Sequence, residues 1–195
     1  ERWRLVLDSI CYSSTISACG KGRRWQRSLW LLEDMRSRGV PPDLACFNAA
    51  ISACEKGQQW ELGLAVFDRV VSGRDEPQPD AITFNATISA CEKGSNWQHA
   101  LLLMVGMQRR QLVPDRFTLS AAASSCRQDA QWQASLEVLA GMRPACVNLD
   151  VIACAAALEA CERAKDKPQD LGPTLDALKR AVAAELQSHG DLSRG

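Results

Sequence analysis

Apolar and polar positions recur along this chain with a fixed period. Ile16, Ile51 and Ile88 each stand three residues before a cysteine: Cys19, Cys54 and Cys91. Three residues after the cysteine comes Gly22, Gly57 or Gly94, and six residues after it comes Trp25, Trp60 or Trp97. Cys126 and Trp132 continue the series, so successive Cys–Trp pairs are separated by 35, 37 and 35 residues. Beyond each tryptophan an i, i+3, i+6 apolar stripe follows: Leu29, Leu32 and Met35; Leu64, Phe67 and Val70; Leu101, Met104 and Met107; Leu136, Leu139 and Met142. Helical spacing on both sides of a terminating glycine predicts two helices per period. One covers sequences such as LACFNAAISACEK, and the other opens near the tryptophan. A period of this size means a helical hairpin stacked on copies of itself, because each hairpin can bury its apolar face only against its neighbours.

The ends of the units are marked as clearly as their middles. The units run 9–43, 44–80, 81–115 and 116–150, and each closes on an aspartate, three of them after proline: Pro42-Asp43, Pro79-Asp80 and Pro114-Asp115. Proline cannot continue a helix and aspartate is a good N-cap, so each new helix is expected to start just after the Asp. Asp8 stands in the same place, so residues 1–8 read as the end of a truncated preceding unit. The two extra residues of the second unit fall near Ser72–Gln78, in a loop that tolerates them. The series then decays. Cys161 keeps the register, but Lys167 stands where tryptophan is expected, and Pro168 and Pro173 follow. Leu175, Leu178, Val182 and Leu186 mark one more amphipathic helix, so 151–187 reads as a degenerate repeat or capping helices and 188–195 as a frayed tail.

Composition narrows the chemistry. Twenty-three basic and 23 acidic residues cancel, and 46% of the 195 residues are hydrophobic, enough for a folded core. No run approaches the ~18–20 apolar residues of a membrane helix. The chain begins at Glu1 without a signal-like segment, which carries no information about targeting. Nine cysteines, with no C-x-x-C pair and only His99 and His189 as histidines, argue against a zinc site. Cysteines in one register lie a helix spacing of roughly 8–10 Å apart, too far for a disulfide. They read as small buried thiols in a reducing compartment.

The repeated polar residues carry the functional question. The tryptophans suit base-stacking platforms or core anchors between units, and their place at the opening of the packed helix favours anchors. Glu55 and Glu92 read as solvated. Lys21, Lys56 and Lys93 share one register at the end of the first helix, where they suit either the helix dipole or a phosphate. The fifth residue of each unit is Ser13, Asn48, Asn85, Ser120 and Ala155. Ser and Asn are mediocre inside helices, so their recurrence, each paired with the Asp ending its unit, suggests a line of hydrogen-bonding groups on one surface.

The period, the TFNATISACEKG-type first helix and the terminal Pro-Asp together resemble the pentatricopeptide repeat family, well over residues 8–150 and loosely over 151–186. The resemblance implies an all-α fold, a right-handed α-solenoid of stacked helix-turn-helix hairpins, that binds single-stranded RNA at one base per repeat. It implies base reading by Ser13 with Asp43, Asn48 with Asp80, Asn85 with Asp115, and Ser120 with Asp150. Asn with Asp favours U and Ser with Asp favours G in that family, so the expected target is 5′-GUUG-3′. The second residues of the units, Ile10, Ile82, Phe117 and Ile152, match positions that sandwich the bases, with Ala45 a weak exception. Lys21, Lys56, Lys93 and Arg163 match positions near the phosphates, Gln128 replacing the cation in the fourth unit. With so few cations the salt slope should be only about −2 to −3. The resemblance further implies a mitochondrial or chloroplast location, protein partners in an RNA-processing complex, and no cofactor. The competing reading is a protein–protein interaction scaffold built on the same stack. An enzyme is not expected, since the H-x-E and C-x-x-C signature of a deaminase extension is absent.

Overall fold

The computed structural model describes residues 9–73, 77–128, 133–136 and 151–163, and the single positions 176 and 180. Within these the secondary structure is helical, with no strand. The helices are α1 (Ser9–Lys21), α2 (Trp25–Ser37), α3 (Leu44–Lys56), α4 (Trp60–Ser72), α5 (Ala81–Lys93), α6 (Trp97–Arg109), α7 (Arg116–Gln128) and α8 (Val151–Arg163). Each is 13 residues long. The expected starts are met: α2, α4 and α6 open on the tryptophan, and α3, α5, α7 and α8 open on the residue after an aspartate. Trp132, the decayed segment from Lys167 and part of the Ser72–Gln78 loop lie outside the described residues.

The aspartates act as caps. The Asp43 carboxylate accepts the Cys46 N–H at 2.9 Å. Asp80 accepts the Thr83 N–H at 2.8 Å, and Thr83 Oγ1 accepts the Asp80 N–H at 3.3 Å, closing a capping box. Asp115 and Thr118 repeat the pair at 2.8 and 3.2 Å. Three residues into the helix, Cys46 breaks the Thr pattern and leaves Asp43 with a single-sided cap.

The chain divides into two compact units, Glu1–Gly94 and Ser95–Gly195. In the first, α1 packs on α3 and α3 on α5, while α2 lies against both α1 and α3 and α4 against both α3 and α5. Each second helix is therefore held between the first helix of its own hairpin and that of the next. Phe47, Phe84, Ile16, Ile51 and Ile88 are fully buried there, each worth about 1.5–3 kcal/mol of apolar burial. Phe67 of α4 meets Phe84 of α5 edge-on, 4.9 Å between ring centroids, locking one hairpin to the next. In the second unit α6 packs on α7 and α7 on α8.

The second-helix stripe is buried at Leu32, Met35, Phe67, Val70, Met104 and Met107. The leading leucines, Leu29, Leu64 and Leu101, are only half-buried. The fully buried position is one residue earlier and holds small residues: Ser28, Gly63, Ala100 and Ser135. This correction has a steric reason. The helices approach closely at that point: Ser28 Oγ donates to the Ile16 carbonyl of α1 at 3.2 Å, and a Cβ on Gly63 would sit 3.5 Å from Ala90 Cβ.

The turn glycines also differ from expectation. Gly57 and Gly94 have φ of −83° and −88°, ordinary right-handed values. The left-handed residue is the next one, Arg23, Gln58 or Ser95, with φ of 55°, 57° and 55°. The end of α3 closes as a Schellman motif, Gln58 N–H to Glu55 O at 3.0 Å and Gln59 N–H to Cys54 O at 2.9 Å. Glycine is required for a different reason. A Cβ on Gly57 would fall 2.9 Å from Cγ of Trp25 and closer still to Cδ1, and one on Gly94 would overlap the Trp60 indole in the same way. The half-buried tryptophan of each of these hairpins lies flat against the turn of the next, which identifies it as an anchor between units.

Three stability predictions follow from this packing. Gly57→Ala should destabilise the chain by about 1–3 kcal/mol through overpacking, and the penalty should vanish in a Trp25→Ala background. Gly22→Ala, which among the described residues meets only carbonyls of its own helix at 3.6 Å, should be neutral or stabilising; a double-mutant cycle on urea melts separates these cases. Gly63→Ala should raise stability by about 0.5–1 kcal/mol, because the added methyl fits and glycine inside a helix is unfavourable; a lower melting temperature would contradict it. The third concerns pH. Burial raises the Asp43 and Asp80 carboxyls, but the hydrogen bonds they accept outweigh it and hold both below the ordinary 3.8. Their contribution is therefore present at neutral pH and lost as pH falls below 3.8 through the lowered values. Melting followed against pH should show this acid loss reduced in Asp80→Asn.

Candidate nucleic-acid interface

The caps fix where each first helix begins, and that fixes which residues share a face. Counting from the residue after the Asp, positions two, five, nine and thirteen lie on one side of the helix, since their spacings of three and four residues follow the helical repeat. On α1 these are Ile10, Ser13, Ser17 and Lys21; on α3, Ala45, Asn48, Ser52 and Lys56; on α5, Ile82, Asn85, Ser89 and Lys93; on α7, Phe117, Ser120, Ser124 and Gln128. The opposite side carries the buried Phe47, Phe84 and isoleucine core.

The expected sandwich residues are conspicuous by exposure. Ile10, Ile82 and Phe117 are 71%, 64% and 66% exposed, large apolar side chains at one register with the core available to similar residues two positions on. The Arg116 guanidinium sits over the Phe117 ring at 4.8 Å, covering one of its faces. Ala45 is exposed and offers little surface. The side chain of Ile152, at the start of α8, lies outside the described residues.

The expected reading residues are not equivalent. Asn48 is half-buried, and its amide lies near the Asp80 carboxylate, where it helps to hold that carboxyl below its ordinary value. The other end of that amide, Oδ1, is buried without a partner. A carboxylate can only accept, so the flip that faces Asp80 with the NH₂ is the favourable one. In the first hairpin the same pair is not joined. Ser13 Oγ donates back to the Ile10 carbonyl at 3.1 Å, and Asp43 Oδ2 instead accepts Ser9 Oγ at 2.7 Å. Asn85 is half-buried on α5 and Asp115 exposed before α7, in different units. Ser120 is buried, at 9% exposure. Asp150 lies outside the described residues.

Lys21, Lys56 and Lys93 are each the last residue of their helix and exposed. Arg163 ends α8 likewise, but its guanidinium is bound to Glu159 at 2.9 Å. The serine register at position nine is a feature the sequence reading missed. Ser89 Oγ donates to Glu55 Oε1 of the preceding first helix at 2.9 Å. The same two positions are joined between α7 and α8 by Arg127 and Glu159 at 3.5 Å. The 35- and 37-residue spacing of Ser17, Ser52, Ser89 and Ser124 was the available signal. The ladder cysteines do not add chemistry to this face. Burial pushes Cys54 up to about 11 and Cys91 to about 12, so both stay protonated and unreactive at neutral pH.

This arrangement has counterparts among known proteins. The PPR domain of Arabidopsis thaliana protein-only RNase P 1, solved with tRNA, matches at a TM-score of 0.70 and 19% identity, over 93% of this chain and 89% of that one. The pentatricopeptide repeat protein PPR10, solved with an 18-nt psaJ RNA element, matches at a TM-score of 0.71 and 18% identity over 95% of this chain. PPR10 from maize also matches, at a TM-score of 0.57 and 21% identity over 78% of this chain. The present chain spans 26% and 22% of those two PPR10 chains. These likenesses establish the α-solenoid fold of stacked hairpins. No curated protein matches the sequence. The PPR repeat model matches residues 10–40 and 82–112, and the pentatricopeptide repeat domain model matches 30–94. With the hairpin register, the capping aspartates and the fold in agreement with both models, the chain belongs to the pentatricopeptide repeat family.

Proposed function

We propose that this chain binds single-stranded RNA with sequence selectivity, one base per hairpin, through the first-helix positions two, five and thirteen of each of the units 9–43, 44–80, 81–115 and 116–150. The observation that carries the reading is the buried Oδ1 of Asn48, which has no partner, on an amide that lies beside the Asp80 carboxylate. A carboxylate beside the amide favours one of its two flips, so donor and acceptor are presented in one order. Uracil and cytosine differ in the order of donors and acceptors along their pairing edges, so an oriented amide discriminates between them where a freely flipping one does not. The buried Oδ1 lacks a donor in the free chain, an unfavourable state that the N3–H of uracil would relieve. The outer torsion of Asn is soft, so a modest rotation suffices to meet the base while the amide stays beside Asp80.

Exposed apolar groups at position two give a base a surface to stack on, and the exposed lysines at position thirteen suit the phosphates. From the reading pairs the target is 5′-GUUG-3′, and the biological setting is the processing or stabilisation of an organellar transcript. A protein-partner role draws on a different surface: Trp30 of α2 is 60% exposed beside Gln26 and Arg27. That surface is not on the first helices and does not compete for the RNA face.

Short RNAs carrying GUUG or GCCG, titrated at one low salt concentration, test the proposal. GUUG should bind at least about tenfold more tightly, the worth of one or two net hydrogen bonds. Asn48→Ser with Asn85→Ser should move the preference towards GGGG. Equal binding of GUUG and GCCG would overturn the reading, and no binding to any RNA would leave the protein-scaffold role in its place.

A further inference from the structure

The first hairpin holds its aspartate differently from the second. Asp43 uses Oδ1 to cap α3 through the Cys46 N–H at 2.9 Å and Oδ2 to accept Ser9 Oγ at 2.7 Å. Ser9 stands at position one of its unit. Leu44 and Ala81 occupy that position in the next two units and have no hydroxyl. Two bonds, one to each oxygen, fix the plane of the Asp43 carboxylate. The second hairpin differs, since there the position-five side chain, Asn48, is the neighbour that helps to lower the Asp80 carboxyl. Ser13, four residues after Ser9 on the same side of α1, spends its only proton on the Ile10 carbonyl at 3.1 Å. A hydroxyl whose proton is spent can only accept. A carboxylate can only accept as well.

We propose that Ser9 is a specificity-determining positioning residue: by anchoring Asp43 and leaving Ser13 as an acceptor, it makes the first hairpin an acceptor-only site that selects guanine. This rests on the RNA-reading proposal above and explains one of its letters by a residue outside the reading pair. Guanine presents two neighbouring donors on its pairing edge, N1–H and the N2 amino group. Adenine, cytosine and uracil each place an acceptor beside their donor. Ser13 Oγ and Asp43 Oδ2, both with lone pairs left, match two donors and meet an acceptor unfavourably in the other three bases. Preorganisation of the carboxylate by Ser9 is what makes the match discriminating, because a carboxylate held only by its cap bond can turn away from an unsuitable edge.

The test compares GUUG with AUUG for the wild-type chain, Ser9→Ala and Ser9→Thr, with GCCG as a reference RNA. The wild type should prefer GUUG over AUUG. Ser9→Ala should lower that ratio about five- to tenfold, the scale of one hydrogen bond to a charged group, while leaving the ratio of GUUG to GCCG unchanged. Ser9→Thr, which keeps the hydroxyl, should restore the guanine preference. If Ser9→Ala weakens all RNAs equally and the guanine-to-adenine ratio stays at the wild-type value, Ser9 is merely structural and the inference falls. If the wild type itself does not separate GUUG from GCCG, the RNA-reading proposal fails and takes this inference with it.

Discussion

An indole lying against a backbone is the constraint on which the rest of the first unit depends. Trp25 occupies the space where a side chain at position 57 would project, and Trp60 does the same at position 94. Each contact joins the opening of one hairpin's second helix to the turn of the next hairpin. It sets the distance between neighbouring first helices, and that distance sets what can line them. Ala53 and Ala90 are fully buried where the first helices meet, and a Cβ on Gly20 would already be 3.2 Å from that of Ala53. Small residues at the contacts and one large aromatic per hairpin are two sides of the same geometry. Helices of 13 residues are marginal alone, so they persist because this packing repeats.

The aspartates connect this packing to function. One carboxylate oxygen caps a helix and is needed by the fold. At Asp43 the other oxygen accepts Ser9 Oγ of the preceding hairpin, and at Asp80 the amide of Asn48 lies nearby. A residue that the fold requires for one atom thus presents a second atom on the face where the exposed position-two residues and the lysines lie. The proposed reading site sits beside a helix start held by its cap. On that proposal, changing the aspartate would disturb both stability and recognition, whereas changing Ser9 or Asn48 would leave the cap intact.

Most of the fold was legible from spacing. The positions of the helices followed from Pro-Asp, tryptophan and the cysteine register, because caps and apolar periodicity are local properties of sequence. The glycines were legible as turns but not in their reason. The positive φ falls on Arg23, Gln58 and Ser95, residues that give no sequence signal for it, while Gly57 and Gly94 yield to tryptophans more than 30 residues earlier. The leucine stripe was displaced by one residue for a similar cause. Periodicity locates a buried face to within a residue, and the small side chains Ser28, Gly63 and Ala100 mark where another helix comes closest.

For the site, the sequence by itself determined the register: which residues stand at positions two, five and thirteen, and which aspartate ends each unit. That is arithmetic on a repeat, and it needs no coordinates. Only the tertiary structure decided how the residues pair. The first two units, 9–43 and 44–80, differ at this carboxylate, Asp43 accepting a hydrogen bond from Ser9 and Asp80 having Asn48 beside it, because such a contact depends on which group reaches a carboxylate oxygen across two packed helices. It also decided that Ile10, Ile82 and Phe117 stay uncovered and that Ser120 does not, since exposure belongs to the surroundings of a residue and not to its identity.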